Sequence, residues 1–301
     1  MDLEIIKDDG STYRMSDYGI VYDFVVGSIE VERYHDRMEG RSGTIDYGAD
    51  YGVRRISVPM KFKAFDLHDY AHLRDELYGI VSELEPYYIR EKRRLNRLQY
   101  DFVDFGSPEK WREGTDNQYV NGKQYRVMLT NEITPEQIMN GGEITLEFVT
   151  VGLPFAETIY TTKELNDTGY DATVEKYGLV DGIHADYTQY RFTENTFEVY
   201  NAGNVTIRPE NMFLEITIGL LTTDGSFELR NLTTRETFEW QKAVTDRNIY
   251  IRGMGVMEGT AFNGLRNTNR KFIKLKPGVN KFEVVGGTFS QITVDFRYLY
   301  K

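Results

Sequence analysis

Two histidines, His68 and His72, have the spacing closest to a catalytic motif. At i and i+4 on a helix they lie on one face, as in the H-E-x-x-H motif, where two imidazoles hold zinc and the glutamate acts as base. Asp69 stands where that motif has Glu, and its shorter side chain makes a poorer base in that geometry. A solvated first helical turn explains the same residues. A metal hydrolase is therefore one hypothesis, which predicts bound zinc and its loss in His72→Ala.

Patterns typical of other enzymes are missing or do not stand out. A glycosidase needs two carboxylates flanking a cleft, but pairs such as Glu194 and Glu198 cannot be singled out among 47 acidic residues. The chain has no G-x-S-x-G elbow and no G-x-x-x-x-G-K-[ST] phosphate loop. The absence of cysteine excludes thiolate catalysis, disulfides and cysteine-based zinc sites. We therefore expect no enzymatic activity, no metal and no cofactor.

One basic run, "REKRRLNR" at residues 90–97, interrupts an acidic chain of net charge −11. Phosphate binding needs a basic surface, so free nucleic acid is disfavoured as a partner of the whole chain. Carboxylates of a neighbouring copy are the alternative ligands for this run. We expect four arginines to contribute to a subunit interface: Arg90, Arg93, Arg94 and Arg97.

Exposed aromatic side chains on a β-sheet can stack on sugar rings. Four residues of the second half are candidates for such a platform: Tyr187, Tyr190, Phe192 and Trp240. Ordinary core or interface packing claims most aromatic residues and explains these equally. The corresponding hypothesis is a monomeric carbohydrate-binding protein that acts through its C-terminal sandwich, with a sugar affinity that depends on Trp240.

The elements that would position these residues are mainly strands. A length of 301 residues favours two domains, and we place them at 1–155 and 156–301. The clearest helix is predicted at 66–84, with Asp66 as N-cap, an apolar stripe at Leu73, Leu77, Ile80 and Leu84, and a stop at Pro86. Such a helix is expected to cover one face of a sheet.

Strand patterns fill most of the rest. "RRISVPMKFKA" alternates apolar and polar residues, whereas the preceding glycine-rich stretch 39–52 is expected to be turn or loop. Residues 106–123 lack periodicity and predict a long loop or hairpin, a feature that is usually functional. The second half alternates almost throughout and predicts a nearly pure antiparallel β-sandwich. "FIKLKPGVNKFEVVG" predicts a hairpin around Pro277 and Gly278.

The order of several turn motifs resembles a known family, the distal tail proteins of siphophages. In the first half these are "GRSGTIDYGADYGVRRISVPMKF" and the exit at Pro154-Phe155. In the second half, "FEVYNAGNVTIRPEN" is similar to the family pattern N-x-G-x-x-x-x-P. "ELRNLTTRETF" resembles a polar hairpin, and "FIKLKPGVNKFEV" an L-x-P-G-x-N turn. The matching turn residues are Asn201, Gly203, Pro209, Pro277, Gly278 and Asn280.

This resemblance implies a ring-forming N-terminal β-sandwich with one helix, and a galectin-like or carbohydrate-module-like C-terminal sandwich. The family forms hexameric hubs in the virion, at the distal tip of the tail. Implied partners are the major tail tube protein, a tail-associated fibre or lysin, and further the tape-measure protein, receptor-binding proteins and cell-wall carbohydrate. Trp111, in the 106–123 excursion, is expected at ring contacts.

Charge and hydropathy are compatible with that function. Six copies carry 6 × −11 = −66 formal charges, so DNA is expected to pass a like-charged lumen without specific binding. The start of the chain, "MDLEIIKDDG", lacks the basic and long apolar regions of a signal peptide. No apolar run approaches the roughly 18 residues of a membrane span. We therefore expect synthesis in the host cytoplasm and no membrane insertion.

Overall fold

The protein consists of two compact units, Met1–Phe155 and Ala156–Lys301. The computed structural model describes residues 1–93, 118–260 and 264–301. In the first unit the described strands are β1 Asp2–Ile6, β2 Thr12–Arg14, β3 Gly19–Val21, β4 Val25–Asp36, β5 Ile45–Lys63, β6 Tyr87–Arg93, β7 Gln118–Tyr119, β8 Lys123–Leu129, β9 Glu136–Ile138 and β10 Gly141–Thr150. A helix, α1, spans Leu67–Val81, and a 3-10 turn spans Met15–Asp17.

An antiparallel sheet organises the first unit. Its hydrogen-bonded order is β2-β1-β6-β8-β10-β5-β3, with β4 added to β5, β7 to β6 and β9 to β10. The second half of β5 alternates as its sequence predicts, and four of its side chains are fully buried: Ile56, Val58, Met60 and Phe62. This strand therefore forms the centre of the apolar core of the unit.

Helix α1 covers that core, as predicted. The Asp66 carboxylate caps its N-terminus by accepting a hydrogen bond from the Asp69 amide at 2.8 Å. Tyr70 stacks on Phe62 with ring centroids 5.4 Å apart, and Leu77 is buried. A covering helix on one face of a sheet is therefore confirmed.

The predicted C-terminus of the helix was too late. Helix α1 ends at Val81, and Leu84 is 92% exposed instead of continuing the apolar stripe. The buried Tyr87 hydroxyl donates to the Val81 carbonyl at 2.8 Å, which satisfies one of the carbonyl groups that a helix end leaves open. The chain must leave the helix early to place Tyr87 at the start of β6.

The glycine-rich stretch 39–52 is the main correction in the first unit, because residues 45–52 belong to β5 and not to a loop. They pair with β4 in a long hairpin, with Val31 opposite Tyr51 and Asp36 opposite Ile45. A register irregularity lies beside Gly48, whose φ is +105°. This glycine accommodates a bulge inside the hairpin.

The predicted long loop or hairpin at 106–123 lies mostly outside the described residues. Its C-terminal end is described, and there β7 pairs with β6, with Tyr119 opposite Lys92. Strand β8 begins at Lys123.

The described residues of the second unit form two antiparallel sheets, as the alternating patterns predicted. Its described strands are β11 Ala156–Thr158, β12 Arg191–Phe192, β13 Thr196–Asn201, β14 Leu214–Thr223, β15 Phe227–Asn231, β16 Glu236–Trp240, β17 Val244–Arg252, β18 Gly255–Glu258, β19 Gly278–Val285, β20 Gln291–Phe296 and β21 Leu299–Tyr300. The sheet orders are β12-β20-β14-β17-β18 and β13-β19-β15-β16. Strands β11 and β21 pair with each other, and a 3-10 turn spans Leu265–Asn267.

The two sheets of this unit share one aromatic core. Phe192 of the five-stranded sheet stacks on Phe197 of the four-stranded sheet at 4.3 Å between ring centroids, and Phe197 stacks on Phe282 at 5.2 Å. The contact joins the inner faces of the two sheets, which is the arrangement of a β-sandwich.

Two short helices, which the sequence analysis did not predict, precede the sandwich strands: α2 Thr162–Thr168 and α3 Tyr170–Tyr177. The sequence nevertheless contains an N-cap signal for α2. The Thr161 hydroxyl accepts from the Glu164 amide at 3.3 Å, and Thr followed three residues later by Glu is the capping-box pattern. Gly169 and Gly178, with φ of +86° and +83°, end the two helices.

The turn residues of the second unit hold the loops between its strands. Asn201 is buried, and its side chain accepts from the Gly203 amide at 3.0 Å. A Cβ on Gly203 would lie 2.5 Å from the Leu299 carbonyl oxygen, so no larger residue fits. Pro209 is buried in the turn that follows.

The predicted hairpin around Pro277 and Gly278 is wrong in its pairing. Residues 271–274 are not in a strand, and Leu275 forms a single bridge with Ile207. Strand β19, which begins at Gly278, pairs with β13 and β15 instead. The turn residues therefore direct the chain into the middle of a sheet rather than into a hairpin.

Replacing Gly278 by valine is expected to lower the free energy of unfolding by about 1–2 kcal/mol, because φ is +84° there and a side chain is strained in the left-handed region. A Cβ would meet no atom within 4 Å, so the loss would come from the backbone alone. Urea denaturation measures it. As control, Gly79→Ala in α1 also meets open space and should stabilise by about 0.5–1 kcal/mol. An unchanged midpoint for Gly278→Val would contradict this account.

Candidate assembly surface

The β4–β5 hairpin extends well beyond the core of the first unit. We call residues 30–53 the arm; none of them is buried. The arm exposes large apolar side chains: Val31, Tyr34, Met38, Tyr47, Tyr51 and Val53. A two-stranded ribbon is marginally stable alone in water, and exposed apolar patches mark interaction surfaces. Among the described residues of this unit, the arm is therefore the part most suited to bind another chain.

One face of the arm is acidic. Glu32 lies directly opposite Asp50 across the two strands, and like charges in that position repel. Glu30 is on the same face, since both glutamate side chains approach the position that a Cβ on Gly52 would take. The Tyr34 hydroxyl donates to Glu32 at 3.3 Å, and this hydrogen bond to the carboxylate raises the pKa of Tyr34. Cationic groups of a partner would relieve this repulsion.

The basic strand β6 faces inward for most of its length. Arg90 donates to the Gln124 Oε1 atom at 2.9 and 3.0 Å and to the Tyr119 hydroxyl at 3.2 Å. Lys92 is buried. Arg93 is half exposed and pairs with Glu91 at 2.6 Å. The guanidinium of Arg90 is therefore used inside the unit, and its contact with a neighbouring copy stays a prediction. Arg94, Arg97 and Trp111 lie outside the described residues.

Glu4 is the centre of this internal network. Its carboxylate accepts from the Lys92 ammonium at 2.9 Å and from the Tyr119 hydroxyl at 2.6 Å, and the side chains of Glu4 and Lys92 are 4% and 5% exposed. Burial by itself raises the pKa of Glu4, but the hydrogen bonds from Tyr119 and Lys92 outweigh it, so the pKa is lowered. The network ties β1 to both strands that flank residues 94–117.

The histidine pair lies on the exposed side of α1. The rings of His68 and His72 are 5.6 Å apart, and both side chains are exposed. Within the described residues, no group of three or more His, Cys, Asp or Glu side chains is arranged to hold a metal ion.

The four aromatic residues considered for a sugar platform do not form one. Trp240 and Tyr190 are both 0% exposed, and the Tyr190 hydroxyl donates to the Tyr200 carbonyl at 2.7 Å. Burial raises the pKa of Tyr190. The large apolar surfaces of Trp240 and Tyr190 belong to the core of the sandwich. An alternating strand pattern does not show which face of the strand packs in the core and which face meets solvent.

Tyr187 and Phe192 instead line a cleft on the second unit, together with residues that the sequence analysis did not connect with them. The ring of Tyr187 stacks on that of Tyr200, with centroids 4.7 Å apart. Glu194 and Glu198, whose spacing had been noted only as one carboxylate pair among many, line the same cleft. The sequence spacing of Glu194 and Glu198 did not single out this pair, because Glu194 precedes strand β13 and Glu198 lies within it.

The comparisons with known proteins agree with a phage tail fold. Residues 9–150 match the family described as phage tail protein RIFT-related domain. The whole chain is similar to the crystal structure of the Dit protein of phage SPP1, described as a paradigm of hub adsorption apparatus in Gram-positive infecting phages. That similarity has a TM-score of 0.64 and 11% sequence identity, and it covers 99% of each chain.

A structure of the phage p2 baseplate in its activated conformation with Sr is more distant, with a TM-score of 0.42 and 10% identity, over 98% of this chain and 97% of that chain. No curated protein sequence matches the chain.

Residues 9–150 therefore match a phage tail domain family, and the whole chain shares its fold with the SPP1 Dit protein. The resemblance to siphophage distal tail proteins, predicted from the turn motifs, is confirmed. No helix in the described ranges is long and apolar enough to cross a membrane.

Proposed function

We propose that this protein is the distal hub of a siphophage tail. Six copies of the first unit would close into a ring that joins the tail tube to a tail-tip fibre or lysin, and the second unit would carry attachment proteins. The observation that supports assembly is the arm, an exposed hairpin with apolar side chains and one acidic face. A ring closes when two different surfaces of one chain are complementary, and the arm supplies one of them.

The role proposed is structural. The Glu4 network and the buried asparagines stabilise the units, and the exposed arm is available for contacts between chains. The acidic net charge suits a lumen that DNA passes without binding. Synthesis in the host cytoplasm and incorporation into the virion follow from this role.

Light scattering over a range of concentrations tests the ring. We expect a species near six times 35.0 kDa. Replacing residues 30–53 by Asn-Gly keeps the Ile29–Arg54 pair at the base of the hairpin, and Asn-Gly suits a two-residue hairpin turn. This variant should remain folded by circular dichroism and lose the high-mass species.

A matched pair of variants tests whether assembly depends on the apolar side chains of the arm or on exposed apolar side chains in general. Val31→Ser with Tyr47→Ser should raise the dissociation constant of the assembly at least tenfold. Phe65→Ser with Leu84→Ser removes side chains of the same unit that are even more exposed, and it should leave the mass unchanged. Equal assembly by wild type and the shortened arm would overturn the role of the arm, and a monomer at all concentrations would count against self-assembly without a tail template.

A further inference from the structure

The second unit has a cleft of about 280 Å³ along the first strand of its four-stranded sheet. The cleft is close to the lower end of the size range of ligand pockets. Its walls combine aromatic rings, hydroxyls and carboxylates, chiefly Asp186, Tyr187, Glu194, Thr196, Glu198 and Tyr200. The proposed ring does not use this surface.

Strand β13, which forms one wall, is an edge strand. It pairs with β19 on one side and is the first strand in the order β13-β19-β15-β16. The Asn195 carbonyl accepts from the Val284 amide at 2.7 Å. The backbone N–H and C=O groups of the odd-numbered residues of β13 therefore point toward β19. In an antiparallel ladder the alternate residues point the other way. The backbone N–H and C=O groups of Thr196 and Glu198 are therefore directed to the open edge.

The open edge ends at a fixed point. The carbonyl of Tyr200 accepts the Tyr190 hydroxyl at 2.7 Å, and the Tyr200 hydroxyl donates to the Gly182 carbonyl at 2.8 Å. The stacked ring of Tyr187 lies against Tyr200. These contacts make a rigid aromatic wall at one end of the edge and leave its part from Thr196 to Glu198 open for pairing.

The charge of the cleft has one sign. Three carboxylates line it, those of Asp186, Glu194 and Glu198, and none of the described residues that line it is Lys or Arg. Glu198 has a partner on β19, Lys281, at 3.6 Å, and both side chains are largely exposed. The cleft therefore attracts a ligand with ammonium or guanidinium groups.

We propose that the cleft binds an extended, lysine-bearing segment of a partner protein, which adds as a strand to the edge of β13. Its backbone would pair with Thr196 and Glu198. Its lysine side chains would lie against the tyrosine wall and reach the carboxylates. In strand addition the main-chain hydrogen bonds give affinity and the side-chain contacts give specificity. The edge and the carboxylates together select a peptide over a free sugar, because a sugar lacks the backbone pattern that the edge offers.

Fluorescence anisotropy with the full-length protein tests the proposal. The probe is a fluorescein-labelled peptide of three Lys-Thr repeats, and we expect saturable binding that weakens at least fivefold in 0.5 M salt, since exposed charges are screened. Methylating alternate backbone nitrogens of the peptide removes strand pairing and should weaken binding at least fivefold. The double variant Asp186→Asn with Glu194→Gln should weaken it by a similar factor.

The control is Asp171→Asn with Glu175→Gln, which removes two exposed carboxylates on α3 of the same unit, and it should bind as wild type does. Equal affinity of the methylated peptide, or of the Asp186–Glu194 variant, would overturn strand addition. So would equal competition by a glucosamine oligosaccharide, which would assign the cleft to an amino sugar instead. Solution mass is measured on the same samples, so a failure of the ring and a failure of the cleft are distinguished.

Discussion

Replacing Glu4 by glutamine is expected to lower the free energy of unfolding of the first unit by about 3–5 kcal/mol. Glutamine keeps the size of the side chain but leaves the Lys92 ammonium, which is 5% exposed, without its carboxylate. Removing one partner of a buried ion pair costs this much because the other charge stays desolvated. Urea denaturation followed by far-ultraviolet circular dichroism measures the loss.

A surface ion pair provides the matched control. Glu143→Gln removes the ion pair between Glu143 and Lys61. The two charged groups lie 3.5 Å apart, and the side chains of Glu143 and Lys61 are 46% and 36% exposed. This variant should lower the free energy of unfolding by at most about 1 kcal/mol. The second unit provides an internal reference. In a Trp111→Phe background, fluorescence reports Trp240 alone, and its transition should not move. A cost for Glu4→Gln no larger than that of the control would contradict a stabilising role of the network.

The effect of Glu4 should also depend on pH. The pKa of Glu4 is lowered in the folded protein, so the stabilisation is fully present above the ordinary glutamate pKa of about 4.3. It is lost as pH falls through the lowered value. The difference between wild type and Glu4→Gln should therefore be constant near neutral pH and shrink in acid below about pH 4.

Replacing Asn280 by alanine is expected to cost about 3–5 kcal/mol in the second unit. The side chain is fully buried. It accepts from the Lys276 amide at 2.9 Å and donates to the Lys276 carbonyl at 2.8 Å, and it accepts from the Asn231 side chain at 3.3 Å. Each buried group left unsatisfied costs about 1–3 kcal/mol, and at least two would lose their partner.

Trp240 fluorescence in the Trp111→Phe background measures this loss directly in the unit concerned. Asn195→Ala is the control, since Asn195 is exposed and its removal should change stability by no more than about 0.5 kcal/mol. Asn280→Asp keeps the acceptor but not the donor, and it should remain well below wild type. If Asn280→Ala unfolded at the wild-type midpoint, the turn would be held by other contacts.

Both expected effects bear on the proposed hub. The Glu4 network holds the strands at the two ends of residues 94–117, and Asn280 holds the turn that feeds β19 into the sheet beside β13. Stable units are needed for the arm and the edge of β13 to keep their geometry. Variants of the arm should therefore change assembly at constant stability, whereas variants of these networks should change stability first.

Much of the local structure followed from the sequence by itself. The alternation of Ile56, Val58, Met60 and Phe62 predicted a strand with one buried face, and Asp66 marked the start of α1. These patterns are local, since a strand repeats every two residues and a cap acts within three. The order of turn motifs was sufficient to suggest the family, and the predominance of strands to give the fold class.

The tertiary structure decided which surfaces are free. Residues 45–52 became strand because β4 lies beside them, although their glycines favour turns. Trp240 and Tyr190 became core rather than a sugar platform, and Arg90 became an internal partner of Gln124. Such outcomes depend on pairing between distant segments, as in the contact of Glu4 with Lys92, 88 residues away. The local sequence around a side chain is the same whether its face of the strand packs against another sheet or meets water. The burial of these side chains and their hydrogen-bond partners were therefore decided only by the packing of the sheets.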